Sequence, residues 1–430
     1  MTFWLKMALA SAASRKWILA ISLISIGISS AVILSVAQIR ADVRNSFASA
    51  INGVDLIVGS RDSPTELLMY TVFGLGQASR SMPFSTAQTI AELPGVAWVI
   101  PIQLGDFYND SPVMGTESSF FKRVQVANQA LTFASGREFT EDNDVVIGSD
   151  VAKNSRLAIG EKIILSHGTN GPLAEKHTDS PFQVVGILKA TGTPIDRKVI
   201  VSLEGFERMH IGWELGLSPK TLQAQLGMPA TSPDPSETPK KVEKPSRVTA
   251  LFVGLTSPAR VFGIKRTVER MNGSSLMAVM PGVTLAKLWK MLAIGESALL
   301  FVGWLTAVSA MLSATAITML SLQSRRRELA IWRSLGARPG ALLSLVLAES
   351  VGIMLAGIAL GYALLQLLIF AGSSDLRALT GVGLHHSLPA KETWAMLMGL
   401  IVTAFAAGFI PAIQAYRWSL QDSLNPKTSG

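Results

Sequence analysis

The sequence predicts a membrane protein with four transmembrane α-helices and a large α+β domain between the first and second helices. Three observations predict this fold class. Only 16% of the 430 residues are charged, whereas soluble domains average about 25%. Four long stretches carry no charge at all, and the segment between the first two alternates strand-like and helix-like patterns. The sequence contains no cysteine, which excludes disulfides, thiolate metal sites and cysteine nucleophiles.

The four uncharged runs are each long enough to span a membrane, since a helix needs about 20 apolar residues to cross about 30 Å of hydrocarbon. They cover residues 17–39, 297–324, 350–374 and 393–416. A cleaved signal peptide is the alternative for the first run. Such peptides use an apolar region of about 7–15 residues, so we interpret the longer run 17–39 as a retained helix. The preceding residues 1–16 are predicted to form an amphipathic helix on the inner membrane surface.

The distribution of charge predicts the orientation of the chain. The net charge is +8, and all of this excess lies in residues 1–16, 325–338 and 417–430. Lysine and arginine favour the cytoplasmic side of a membrane, so these three segments, including both termini, are expected in the cytoplasm. The segments 40–296 and 375–392 are then expected outside. Because the basic residues lie at membrane surfaces, the charge does not indicate nucleic-acid binding.

The segment 40–296 is predicted to be an α+β domain or a pair of subdomains. Its pattern indicates strands at residues 55–58, 96–102, 144–147, 162–166, 182–188, 199–202 and 249–253. Helices are predicted at 85–93 and 258–271, with turn residues between the elements. The stretch 218–247 is rich in Pro, Ser, Thr and Lys, and it is predicted to be a mobile loop.

The cytoplasmic segment between the second and third runs contains the most informative motif. Residues 325–338 read RRRELAIWRSLGAR. Leu329, Trp332 and Leu335 are spaced by three and form an apolar stripe, while Glu328 and Arg333 lie on other faces. A short helix of this kind is suited to docking in a groove of another protein. Anchoring of the segment by its positive charge is the alternative.

This segment resembles the signature of the FtsX-like and MacB-like permeases of ABC transporters, the lipoprotein-release class. In that family the loop is a coupling helix that inserts into a cleft of the ATPase partner. The resemblance implies an ATPase-coupling role for ten residues. These are Arg325, Arg326, Arg327, Glu328, Leu329, Ile331, Trp332, Arg333, Leu335 and Gly336.

The resemblance extends to residues 93–96, 135–140, 145–152 and 184–188, which are similar to the core domain of MacB-type permeases, and to the C-terminal stretch 408–417. The chain contains no G-x-x-x-x-G-K-[ST] motif, which cradles nucleotide phosphates. A separate ATPase subunit is therefore expected, with ATP and Mg²⁺ bound there and no cofactor in this chain. No catalytic arrangement is readable, and the chain is not expected to be an enzyme.

Two further groups of residues are candidates for specific roles. Gly357 and Gly361 form a GxxxG pattern in the third run, with Gly352 nearby, and such small faces favour close helix packing within or between subunits. His167 and His177 flank a glycine-containing turn and are a candidate metal site with Glu175 or Asp179. Solvated histidines are the alternative, and no metal site is assigned firmly.

The resemblance implies a multi-pass protein of the bacterial inner membrane that couples ATP hydrolysis to movement of a periplasmic domain. Expected partners are an ATPase dimer, a second permease copy or paralogue, a periplasmic adaptor or lipoprotein, and membrane lipids. The alternative is an FtsX-like regulator of a periplasmic partner such as a cell-wall hydrolase. A third interpretation, a component of a metal-responsive transport system, comes from residues 191–197 and 54–59, which resemble one branch of these permeases.

Overall fold

A computed structural model describes most of the chain. The described residues are 16–61, 63–76, 80–167, 175–178, 180–211, 245–271, 275–324, 331, 334, 337–380 and 391–424. They form two compact units. One unit contains the long apolar helices, and the other, called the extramembrane domain below, is formed mainly by Val43–Met291.

The helices vary widely in length. In chain order they are α1 (Lys16–Ser49), α2 (Pro64–Leu68), α3 (Ser85–Ala91), α4 (Phe120–Arg123), α5 (Ser149–Ser155), α6 (Leu203–Met209), α7 (Val261–Glu269), α8 (Pro281–Ser324), α9 (Pro339–Thr380) and α10 (Lys391–Leu424). Short 3-10 turns cover Pro194–Arg197 and Pro258–Arg260, and a π-helical turn covers Met69–Phe73.

The strands belong to the extramembrane domain. They are β1 (Leu56–Ser60), β2 (Met82–Pro83), β3 (Val96–Tyr108), β4 (Ser111–Thr116), β5 (Gln125–Val126), β6 (Gln129–Ala130), β7 (Phe133–Gly136), β8 (Asp144–Ile147), β9 (Lys162–Ile163), β10 (Ser166–His167), β11 (Glu175–Lys176), β12 (Phe182–Leu188), β13 (Val199–Ser202), β14 (Arg247–Val248), β15 (Ala250–Leu255) and β16 (Leu276–Val279).

Four helices of the described residues, α1, α8, α9 and α10, are long and apolar enough to cross a membrane. Their helical bounds extend past the apolar runs, because a helix continues beyond the hydrocarbon while the runs mark only its uncharged part. The helix α9 reaches Thr380, so the first residues of the predicted 375–392 loop are helical. The predicted helix at 1–16 and most of the segment 325–338 lie outside the described residues.

The membrane helices pack through close contacts at small residues. A side-chain carbon added at Gly303 of α8 would lie 2.8 Å from Ile33 of α1, and one at Gly399 of α10 would lie 2.8 Å from Trp304 of α8. Polar contacts join the same helices, since Thr393 donates to the side chain of Gln38 at 3.2 Å. The apolar core of this bundle is therefore shared by helices that are distant in sequence.

Twelve strands of the described residues form one mixed sheet. Its main path runs β16-β1-β15-β3-β4-β13-β8-β12-β7, with β10 paired to β3 and to β11, and β9 paired to β12. The pairs β4–β13 and β8–β12 are parallel, and the other pairs of the path are antiparallel. This mixture of parallel and antiparallel pairs, with short helices between strands, confirms the predicted α+β class.

The long strand β3 joins the two halves of the sheet. Its first part pairs with β15, and its second part pairs with β4 after a register shift between Leu104 and Phe107. One apolar cluster is shared by both halves, and two further clusters each belong to one half. One lies between α3, α7 and the β1–β15 side, and the other lies between α5, α6 and the β8–β12 side. The strand β3 and the continuous sheet keep the two halves in one compact unit.

The predicted strands and helices of this domain are present, with differences at their ends. The predicted strand 162–166 consists of the two short strands β9 and β10, which pair with different neighbours. The strands β4 and β16 were not predicted, because proline and glycine interrupt the first and the second has only four residues. Residues 212–244, which include most of the predicted loop 218–247, lie outside the described residues. Arg247, the last residue of that predicted loop, begins β14.

Candidate metal centre and coupling segment

The predicted coupling segment connects the end of α8 at Ser324 to the start of α9 at Pro339. Of its ten predicted coupling residues, only Ile331 is described, and its side chain is 57% exposed. The other nine lie outside the described residues. Their role in contacting an ATPase stays a prediction from the sequence motif.

The glycines of the GxxxG pattern in α9 differ in what surrounds them. A side-chain carbon at Gly361 would lie 2.5 Å from the backbone oxygen of Gly27 in α1, and one at Gly357 would lie 2.7 Å from Ile26. At Gly352 nothing lies within 4 Å. Gly357 and Gly361 thus lie at a close approach of α9 to α1 within one subunit, and Gly352 does not share it.

The structure brings the candidate ligands His167 and His177 together with two residues that the sequence did not indicate, Asp106 and His210. One ligand atom from each of these four side chains lies within 4.8 Å of all the others. Asp106 is at the centre. Its Oδ1 lies 2.8 Å from Nδ1 of His167 and 3.5 Å from Nε2 of His177, and its Oδ2 lies 3.1 Å from Nε2 of His210.

A bulge in β3 places Asp106. Gly105 has a φ of +153°, and the register of β3 against β4 shifts at this point. Asp106 lies at this bulge, near the end of β3, and its side chain is buried. The strand β10 pairs with the edge of β3 opposite β4 and sets His167 directly opposite Asp106.

Backbone contacts fix the other two histidines. The N–H of His177 donates to the carbonyl of Leu165 at 2.9 Å, which holds the residue beside β10. His210 follows the last turn of α6, whose first turn is capped by Ser202, the acceptor of the Gly205 N–H at 3.0 Å. The Nδ1 of His210 lies 2.8 Å from the carbonyl oxygen of Phe206, so this nitrogen donates and Nε2 faces Asp106.

The electrostatics of the cluster favour an ionised carboxylate. Burial raises the pKa of Asp106, but the three surrounding imidazoles outweigh it and hold the pKa well below its usual range. Burial lowers the pKa of His210, but its contact with Asp106 outweighs burial and raises the pKa. The cluster therefore combines one buried negative charge with three imidazoles whose nitrogens can act as metal ligands. This combination suits a bound cation.

The roles predicted for Glu175 and Asp179 beside His167 and His177 stay predictions. Asp179 lies outside the described residues, and only the backbone of Glu175 is described. The sequence contains only weak indications that Asp106 and His210 are ligands. Asp106 is a charged residue inside an otherwise apolar strand pattern, and His210 is one of only five histidines in the sequence. Neither lies at a ligand spacing from His167 or His177.

Comparisons with known proteins agree with the fold. The family model described as "MacB-like periplasmic core domain" matches residues 17–244, and the model described as "FtsX-like permease C-terminal" matches residues 300–420. Among curated proteins, none matches the sequence.

Two solved structures are similar to the chain. The periplasmic region of MacB from Actinobacillus actinomycetemcomitans is 12% identical, with 56% of this chain and 97% of that chain covered and a TM-score of 0.32. The extracellular domain of the noncanonic ABC-type transporter YknZ from Gram-positive bacteria is 14% identical, with 52% and 98% covered and a TM-score of 0.29.

Four spanning helices, an α/β domain inserted between the first and the second, and matches to both family models define an inner-membrane permease of an ABC transporter. The chain belongs to the MacB-like and FtsX-like permease family. Permeases of this kind work with a cytoplasmic ABC ATPase.

Proposed function

We propose that this chain is the permease subunit of a transporter of the lipoprotein-release class that works by mechanotransmission. A separate ATPase dimer binds ATP and Mg²⁺ in the cytoplasm and moves the coupling segment 325–338. The membrane helices pass this motion to the periplasmic domain, which acts on a cargo from the periplasm or the outer leaflet. A second copy or a paralogue completes the permease pair.

The observation that carries this proposal is that the helices α1 and α8 both extend from the membrane unit into Val43–Met291, the main part of the extramembrane domain. The helix α1 has 34 residues and α8 has 44, so at about 1.5 Å per residue they are about 51 Å and about 66 Å long. The hydrocarbon core is only about 30 Å thick. Each helix continues without a break from the membrane unit into the extramembrane domain. A continuous helix transmits displacement along its axis, as mechanotransmission requires.

The composition of the spans also supports this mechanism. No charged residue lies inside the four uncharged runs, whereas ion and solute pathways use charged or ionisable groups near the midplane. Arg40 and Glu296 form an ion pair of 2.6 Å where the first run ends and just before the second begins. The charges of these helices thus pair at the ends of the apolar runs.

The first test is purification of the full chain from native membranes in mild detergent, with identification of the bound proteins. We expect an ATPase subunit of about 25 kDa, an ordinary size for one nucleotide-binding domain. If no ATPase is recovered, even with ATP and a crosslinker at Trp332, the coupling assignment is wrong. A co-purifying adaptor or lipoprotein supports transport, while a cell-wall hydrolase supports the regulatory alternative.

The second test changes the coupling segment itself. We expect Glu328→Ala and Arg333→Ala to reduce ATPase binding and the stimulation of ATP hydrolysis, because the charges flank the apolar stripe that enters the partner's cleft. Arg417→Ala is the matched control, since this exposed arginine follows the fourth apolar run outside the segment. Equal losses in Arg333→Ala and Arg417→Ala, with no loss in Glu328→Ala, would mean that general positive charge, and not a docked helix, binds the ATPase.

A further inference from the structure

We propose that Asp106, His167, His177 and His210 bind one divalent transition-metal ion, with Zn²⁺ as the best fit. This inference goes beyond the permease function, because it assigns a metal site to the extramembrane domain. It rests on the donor atoms, their separations and their burial.

The donor set selects the class of ion. Three imidazole nitrogens and one carboxylate oxygen suit zinc and neighbouring transition metals, whereas Ca²⁺ and Mg²⁺ prefer sites built entirely from oxygen. The absence of cysteine from the sequence removes the thiolates that favour Cu⁺. Four protein ligands fill a tetrahedral zinc site, so the site is suited to holding the ion and not to activating water.

The separations of the donor atoms fit a tetrahedral site. With metal–ligand bonds of about 2.0–2.1 Å, the ligand atoms of a tetrahedron lie about 3.3 Å apart. The three contacts from the Asp106 oxygens to imidazole nitrogens are 2.8, 3.5 and 3.1 Å. All four ligand atoms lie within 4.8 Å of one another, so they surround one common position.

The orientation of His210 points to the same conclusion. Metal-bound histidines commonly donate their other ring N–H to a carbonyl or carboxylate. This hydrogen bond fixes the tautomer in which the nitrogen that binds the metal is unprotonated. His210 has this arrangement, with Nδ1 on the Phe206 carbonyl oxygen at 2.8 Å and Nε2 toward the cluster. The His210 ring also stacks on the Phe206 ring, at a centroid distance of 4.9 Å, which fixes its plane.

The burial of the ligands predicts an exchangeable ion. The side chains of Asp106 and His177 are 0% and 1% exposed, whereas those of His167 and His210 are 43% and 23% exposed. The site is therefore closed on one side and open on the other. An ion bound there enters and leaves past His167 and His210 without unfolding of the sheet. The bound ion links four parts of the domain, which are the end of β3, β10, the residue after β11 and the end of α6.

The test uses the purified full chain in detergent with an affinity tag that contains no histidine. Zn²⁺ alone is titrated in competition with a chromophoric chelator. We expect one ion per chain, and we expect His177→Gln and His210→Gln each to weaken binding by at least about 100-fold, because even outer-shell partners of metal ligands contribute about 10–100-fold. The double change His385→Gln with His386→Gln removes the two other histidines of the sequence and should leave affinity unchanged.

A measurement on the unchanged protein keeps the proposal testable if a variant does not fold. X-ray absorption of the zinc-loaded chain should give four ligands, three of them imidazoles, and Co²⁺ should give the intense absorption of a four-coordinate site. No bound ion, or equal loss of binding in the His385/His386 variant, overturns the proposal. Because the chain is studied without an ATPase, this result is independent of the coupling test.

Discussion

Several polar residues stabilise turns of the extramembrane domain. They lie in or next to the segments that resemble the known permeases. The buried carboxylate of Asp144 accepts hydrogen bonds from the Arg137 guanidinium at 2.8 Å and from the Thr140 N–H at 3.0 Å. The buried carboxylate of Asp196 accepts from the N–H groups of Thr191 and Gly192 at 2.9 and 2.8 Å. Buried carboxylates with several donors hold irregular backbone in place, so these motif residues have structural roles.

Lys198 is a buried basic residue whose pKa is set by desolvation. Its side chain is buried, its Nζ donates to the Thr71 carbonyl at 2.8 Å, and burial lowers its pKa from 10.5 to about 7. Above pH 10.5 the amine is neutral in both states. Between pH 10.5 and about 7 only the unfolded chain binds the proton, so stability falls by about 1.4 kcal/mol per pH unit as pH decreases.

We therefore expect Lys198→Met to stabilise the domain at pH 7 and to flatten the rise of stability between pH 7 and 9. The measurement is the unfolding midpoint of the purified chain across this range. Lys153→Met, at an exposed lysine, is the control and should keep the slope of the original protein. Parallel pH profiles for the original protein and Lys198→Met would show that Lys198 is solvated.

At the scale of elements, the contact of α1 with α9 depends on glycine. The added side-chain carbon at Gly361 would meet the backbone of Gly27, which has no rotamer to change. Such overpacking costs about 1–3 kcal/mol. At Gly352, by contrast, alanine meets nothing and is the better helix former by about 1 kcal/mol.

The prediction is that Gly361→Ala destabilises the membrane bundle while Gly352→Ala leaves it unchanged or stabilises it. The two variants make the same chemical change in the same helix, so the difference between them isolates the contact. Thermal unfolding in detergent, followed by helical circular dichroism, measures it. Equal midpoints for both variants would contradict the close approach at Gly361.

At the scale of the whole molecule, mechanotransmission requires that α8 stays rigid where it leaves the membrane unit. The units divide between Met291 and Leu292, and Gly295 lies just beyond this point, inside α8, with nothing within 4 Å of an added side-chain carbon. Proline there removes a backbone donor and breaks or kinks the helix, whereas alanine strengthens it.

We expect Gly295→Pro to keep ATPase binding and ATP hydrolysis but to lose the ATP-dependent movement of the extramembrane domain. Gly295→Ala should keep all three. Distances between spin labels on the two extramembrane domains of the assembled complex, with and without ATP, measure the movement. An unchanged distance response in Gly295→Pro would mean that α8 does not transmit the motion.

The sequence alone determined the four spans and the fold class. Lipid exposure requires continuous apolar runs, and the strands of the extramembrane domain carry their own local patterns, so both signals are local. The coupling motif was readable for the same reason, since its residues are contiguous.

The tertiary structure alone decided the metal centre and the helix contacts. Asp106, His167, His177 and His210 come from four separate segments, and the β3 bulge, the β3–β10 pairing, the contact of His177 with Leu165 and the end of α6 bring them together. Likewise, the sequence showed three glycines in α9, but the packing of α1 decided that Gly357 and Gly361, and not Gly352, lie at the contact. Local patterns encode burial and secondary structure, whereas a site built from distant residues exists only once the chain has closed around it.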